Sequence, residues 1–173
     1  MKCFIFLFLV SFSATASVPP LEHHLAINFS KINKIDEVCP DDLLNFAQSL
    51  IGTPYRSAAS NPSYGFDCSG FVSYVFKNFN FEVPRSSCEF IGIGKKVNLA
   101  DAKPGDIILF TGTSKHSRKI GHVGIIMSNE NEEVKFIHST SGKEHGVTIT
   151  VMDKTYKRRY VQIIRMLKQN DES

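Results

Sequence analysis

Three residues of this chain have the types and spacing for thiol-based acyl chemistry: Cys68, His122 and His138. A cysteine attacks a carbonyl as its thiolate, needs a base to take its proton, and gains from a third group that orients the base. Cys68 follows Asp67 at the start of a helical pattern, with apolar residues at Phe71, Val72, Val75, Phe76 and Phe79. Asp67 suits the N-cap. The sulfur then lies in a first turn, where free N–H groups and the macrodipole favour negative charge. That position predicts partial thiolate character near neutral pH, and faster alkylation of Cys68 than of the other cysteines. Taken alone the stretch reads equally well as a structural cysteine. The histidines decide.

The elements that must bring them together are strands. After the turn Lys103-Pro104-Gly105-Asp106 the apolar period changes from helical to alternating. Segments 107–110, 122–127, 134–138, 147–151 and 160–166 read as five strands, with short Gly-, Asn-, Ser- and Lys-bearing connections that favour an antiparallel meander. His122, Gly124 and Ile126 share one strand face, as do Val134, Phe136 and His138. With these strands adjacent and the cysteine helix packed on that face, both imidazoles point toward Cys68, and Gly124 lets the helix approach. A single histidine on a buried strand face is more often a satisfied core residue. Two of them downstream of a helix-start cysteine shift the reading toward a Cys-His-His site.

Upstream, a helix is expected over 40–51, with Asp41 and Asp42 in its first turn and Leu43, Phe46, Ala47, Leu50 and Ile51 on one apolar face. The loop Gly52-Thr53-Pro54-Tyr55-Arg56 leads from it to the cysteine helix, and Tyr55 by itself reads as loop packing. Segment 88–97 reads as a short helix interrupted by Gly92 and Gly94. Helices first and strands afterwards indicate an α+β fold, not alternating βαβ units.

At 173 residues, 42% hydrophobic and 21% charged, the chain has room for one ordinary globular domain. A formal charge of +3 is too small to argue for nucleic acid. Lys2, the apolar run 3–10 and Ala14-Thr15-Ala16 read as a cleaved signal peptide over 1–16. The run is too short for a transmembrane anchor, so the mature protein is expected to be exported, periplasmic or secreted. Residues 17–39 read as an arm, and its His23-His24 pair lacks the further ligands a metal site needs. Of Cys39, Cys68 and Cys88, a Cys39–Cys88 disulfide is the pairing that spares Cys68; two ordinary buried thiols is the preferred reading.

Several motifs in one order resemble a known family. They are Gly52-Thr53-Pro54-Tyr55-Arg56, Asp67-Cys68-Ser69-Gly70-Phe71-Val72, Val83-Pro84-Arg85-Ser86-Ser87, Lys103-Pro104-Gly105-Asp106, Gly121-His122-Val123-Gly124-Ile125, Phe136-Ile137-His138-Ser139 and Tyr156-Lys157-Arg158-Arg159-Tyr160. The chain is similar to the NlpC/P60 cysteine peptidases of bacterial cell walls over roughly 41–167. The resemblance implies a papain-like fold, the cysteine helix packed on a five- to six-stranded antiparallel sheet, in a catalytic domain over 40–168 with a short tail at 169–173. It also implies Cys68 as nucleophile, His122 as general base and His138 as the residue orienting it. Tyr55 then stands on the oxyanion side, with helix N–H groups beside it, and Asp67 and Ser69 help bind the peptide. No metal or cofactor is called for.

Where relatives commonly have Trp-Gly-Gly, this chain has Ser57-Ala58-Ala59, so one cleft wall is expected to be remodelled. No SH3-like or LysM wall-binding domain fits in 17–39, and a wall-targeting partner stays open. The implied substrate is the peptidoglycan stem peptide, cut at D-glutamyl–diaminopimelate or at a D,D cross-link. The basic stretch 114–119 is placed to meet stem carboxylates, although a solvated loop is its plainer reading. A silent wall-binding module, or an amidase or acyltransferase on the same fold, is the rival reading.

Overall fold

The computed structural model describes residues 38–114, 118–131 and 133–171. The expected leader at 1–16, the arm up to 37 with its histidine pair, the centre of the basic stretch at 115–117 and residues 172–173 lie outside them. Helix α1, Pro40–Ser49, begins with proline in its first turn and Asp41 and Asp42 beside its free N–H groups. It buries Leu43, Leu44 and Ala47. It stops short of the expected end because the Leu50 and Ile51 N–H groups turn back onto Ala47 and Gln48. Ile51 is therefore 49% exposed, not part of the buried face.

A small hairpin of β1, Ser60–Asn61, and β2, Gly65–Phe66, precedes α2, Cys68–Asn78. Helix α2 buries Phe71, Val72, Val75 and Phe76 completely, each contributing about 1.5–3 kcal/mol of transfer free energy. Gly70 lies where the hairpin's lead-in crosses the helix: a Cβ there would sit 2.1 Å from the Ala59 carbonyl oxygen. The close approach holds the chain over the helix N-terminus.

The remaining strands are β3 (Lys95–Val97), β4 (Ile107–Thr111), β5 (Ile120–Glu130), β6 (Glu133–Thr140), β7 (Gly146–Val151) and β8 (Tyr160–Arg165). They form one six-stranded antiparallel sheet, ordered β3-β8-β4-β5-β6-β7. The expected meander is present from β4 to β7, and β8 returns to the free side of β4. The ambiguous 88–97 segment resolves into a 3-10 turn, Ser87–Gly92, which buries Phe90, followed by β3. A third helix, α3 (Lys154–Arg159), just before β8 was not anticipated. Its N-cap is Asp153, whose carboxylate accepts the Thr155 and Tyr156 N–H groups.

Each sheet face carries its own core. On one face α2 packs against Ile107, Leu109, Val123, Ile125 and Ile137. On the other, Ile108, Phe110, Ile126, Val134, Phe136 and Ile163 gather with Tyr156 of α3. This corrects the expected placement of the helix. His122, Gly124, Phe136 and His138 do share a face, but it is the face away from α2. Strand alternation hands the helix the branched apolar row Val123, Ile125 and Ile137. Gly124 accordingly clears space within the histidine layer: an added Cβ would lie 2.9 Å from Phe136 Cδ2 and 3.2 Å from His138 Cβ.

Arg165 donates from Nε and Nη2 to the two oxygens of buried Asp106, at 2.9 and 2.8 Å. That pair ties the 103–106 turn to the last strand. Cys39 and Cys88 are free and exposed, so they form no disulfide with each other and are not the buried thiols expected. Among the described residues no helix is long and apolar enough to cross a membrane.

Candidate active site

Cys68 opens α2 with Asp67 as its N-cap, the Asp67 Oδ1 accepting the Gly70 N–H at 2.7 Å. The helix start delivers the sulfur to the point where β5 begins, 4.0 Å from the Gly121 carbonyl oxygen. The next residue on that strand, His122, turns its ring to the opposite face, beside Phe110 and His138. Nucleophile and imidazole thus arrive from the two sides of the sheet and meet at its end. Both line a cleft of about 340 Å³, together with Tyr55, Thr140 and Tyr156.

His122 Nε2 lies 2.7 Å from His138 Nδ1, and His138 Nε2 lies 2.9 Å from Thr150 Oγ1. A base for Cys68 needs a free lone pair, which fixes the tautomers along this row. With His122 as that base, its proton would sit on Nε2 and be donated to His138 Nδ1, and His138 would donate from Nε2 to Thr150. His122 Nδ1 is left as the acceptor. Thr150, on β7, ends the row and was not singled out in the sequence, where it reads as one more strand threonine.

Both imidazoles are held neutral. Burial, then the neighbouring His138 and the Arg159 guanidinium, push His122 well below the usual imidazole range. Burial and Arg159 push His138 down to about 3. The thiol is also held protonated: burial first, and then the Asp67 carboxylate, push Cys68 up. N–H groups of Ser69, Val123 and Cys68 itself pull the other way. The helix start does favour the thiolate, as the sequence suggests, but in the resting site desolvation outweighs it. A thiol held neutral and an imidazole held neutral therefore line the same cleft.

The other expected site residues gather on the thiol side. A groove of about 600 Å³ runs past Cys68, lined by Tyr55, Asp67, Ser69 and Arg85. Burial and the nearby Cys68 and Asp67 charges raise the Tyr55 phenol, which keeps it a hydrogen-bond donor. The His145 carbonyl accepts the Tyr55 N–H at 2.9 Å, and their rings lie 5.9 Å apart. Arg85 grips both Asp67 oxygens, at 2.9 and 2.8 Å, and donates to Ser69 Oγ at 3.0 Å. This clamp fixes the residues on either side of Cys68. Arg85 stood in a quoted motif without a role, because the 18-residue separation from Asp67 hides the pairing. Ser57 and Ala58, where a remodelled wall is expected, line the same groove, with Ala58 in the left-handed region at φ +60°.

On the histidine side, Tyr156 packs edge-on against His138 with centroids 5.8 Å apart and lies 6.2 Å from His122. Burial, above all, raises its phenol, which keeps it protonated. Arg159, one turn on, donates from Nε and Nη2 to the Thr111 carbonyl at 2.9 and 2.7 Å. Helix α3 thereby covers the imidazole pair. Among the described residues no group of three or more His, Cys, Asp or Glu could hold a metal ion.

Comparison with known proteins follows the same residues. The chain is 35% identical over 119 residues to the probable endopeptidase NlpC homolog of Haemophilus influenzae, covering 68% of this chain and 57% of that protein. It is 36% identical over 121 residues to the Escherichia coli murein DD-endopeptidase MepS/murein LD-carboxypeptidase, covering 69% and 58% respectively. The chain thus spans a little over half the length of these two relatives. Among solved structures, an NlpC/P60 family protein from Bacillus cereus superposes with a TM-score of 0.66 at 28% identity, over 75% of this chain and 41% of that one. The model of the NlpC/P60 family matches residues 52–165, from the loop carrying Tyr55 through Cys68, His122 and His138 to the last strand, and the chain belongs to that family.

Proposed function

We propose that this chain is an exported cysteine endopeptidase that hydrolyses peptide bonds in peptidoglycan stem peptides or their cross-links. The observation that carries the mechanism is the hydrogen-bonded row His122–His138–Thr150 opening onto the cleft that holds Cys68. The names of the relatives, an endopeptidase NlpC homolog and a murein DD-endopeptidase, support the substrate class. As the Cys68 sulfur bonds to the stem carbonyl carbon, its proton passes to His122 Nδ1 and the carbonyl electrons move to oxygen. Helix N–H groups and the Tyr55 phenol are the donors for that oxyanion. Collapse breaks the C–N bond, and His122 returns the proton to the leaving amine. Water, deprotonated by the same imidazole, then hydrolyses the thioester and restores the thiol. His138 and Thr150 hold the His122 ring and its tautomer.

Digestion of purified peptidoglycan, with products identified by mass spectrometry, tests this. Wild type is expected to release fragments with new amino and carboxyl termini, and Cys68→Ala none. Identical products from folded Cys68→Ala would overturn the cysteine mechanism, and transfer products without hydrolysis would favour the acyltransferase. N-terminal sequencing of exported protein is expected to start near Ser17; a mature chain that retains Met1 would remove the signal peptide.

A further inference from the structure

A second cavity of about 500 Å³ opens beside the catalytic cleft. The two share Gly112, Thr113 and Arg159, so Arg159 stands at their junction. Beyond it the walls carry two more arginines, Arg118 and Arg158, together with the hydroxyls of Thr113 and Thr155. No acidic side chain lines the cavity among the described residues. Asp153, the nearest carboxylate along α3, is occupied capping that helix. Arg118 and Arg158 are exposed and form no ion pair with any described residue.

The groove on the opposite side of Cys68 has a different charge character. There Arg85 is already spent on Asp67, Ser69 and Ala59. A substrate lying across the site meets a neutralised pair and the Glu89 carboxylate at one end, and uncompensated guanidinium forks at the other. The chemistry says which end is which. His122 hands its proton to the leaving amine, so the amine-bearing fragment departs on the histidine side, toward Arg159 and this cavity. The acyl half occupies the Asp67–Arg85 side.

We infer that this cavity is the subsite for the leaving half of the substrate, and that Arg118 and Arg158 bind a free carboxylate on the released amine fragment. The inference rests on the hydrolase reading above. Both bonds open to that reading release an amine of diaminopimelate, a residue with a carboxyl group at each end. A planar guanidinium fork matches a carboxylate bidentately. The subsite therefore selects substrates by the charge of that carboxyl: the free acid is preferred and the amidated form is poor. Added salt narrows the preference, because the forks are exposed.

The test uses two muropeptides that differ only in whether the free diaminopimelate carboxyl is an acid or an amide. Wild type is expected to favour the acid by roughly tenfold in kcat/KM, carried mainly by KM. Arg118→Gln/Arg158→Gln should lose that preference, and Arg158→Lys should keep part of it. A preference unchanged in the double variant, or absent in wild type, overturns the proposal. Calorimetric titration of the intact protein with meso-diaminopimelate gives a readout that does not require turnover. Binding is expected in wild type and in Cys68→Ala, and loss is expected in the double variant and with the diamide. Diaminopimelate that fails to bind, or binds the double variant equally, also overturns it. Binding without peptidoglycan hydrolysis would sink the hydrolase reading alone; hydrolysis without acid preference would sink the subsite alone.

Discussion

His138 is fully buried with both ring nitrogens engaged, so in the proposed mechanism its task is to hold the His122 tautomer. His138→Asn keeps a polar partner for His122, whereas His138→Ala leaves Nε2–H buried and unpaired. Steady-state kinetics should show kcat falling about a hundredfold for Ala and clearly less for Asn. Thr150→Val removes the last bond of the row, worth about 1 kcal/mol or roughly a fivefold loss. The acid limb of the wild-type pH–rate profile should lie below 6.5, because His122 stays neutral well into acid; a limb at or above that value would contradict the buried pair. Cys68 carries the opposite sign. With its thiol raised and half-buried, iodoacetamide at neutral pH should label exposed Cys39 and Cys88 at least as fast, as peptide mapping would report. The sequence pointed the other way: helix position is legible in a string of residues, and the depth at which folding places the sulfur is not.

At the scale of elements, the strand periods and the helix N-cap were readable because each rests on local spacing. Cys68, His122 and His138 could be named as candidates from that spacing; the fold sets Cys68 and His122 on one cleft and His138 against His122. The face on which α2 packs was not readable from the histidines. The row under α2 is Val123, Ile125 and Ile137, while Ile126 and Phe136 join the histidine-side core. Arg85, Tyr156 and Thr150 were missed for a related reason, since their contacts join segments far apart in the chain. The corrected packing makes its own prediction for Gly124. Alanine there presses on Phe136 and His138, not on α2. Overpacking should cost about 1–3 kcal/mol and lower kcat through a displaced His138 ring. Denaturant unfolding and steady-state kinetics check both parts; a Gly124→Ala enzyme of normal stability and kcat would contradict the packing.

Over the whole molecule, the two neutral imidazoles couple folding to pH. In the unfolded chain each takes a proton near 6.5, whereas in the fold His138 does so only at about 3 and His122 well below its usual range. Between those limits the unfolded state binds more protons, so stability rises with pH and is lost as pH falls from 6.5 toward 3. The slope approaches about 1.4 kcal/mol per pH unit for each ring. Urea midpoints measured across this range should fall steadily on acidification. A flat profile would mean that the pair is not buried neutral.

The sheet, finally, acts as a partition. The thiol is anchored in the layer beneath α2 and the imidazoles in the layer beneath α3, each layer with its own apolar cluster. An opening of either layer leaves a nucleophile without a base or a base without a nucleophile. Under the proposed mechanism, hydrolytic competence is therefore a coincidence detector for folding: it requires both layers closed on the same wall at once. Local fluctuations too small to unfold the chain are enough to interrupt it.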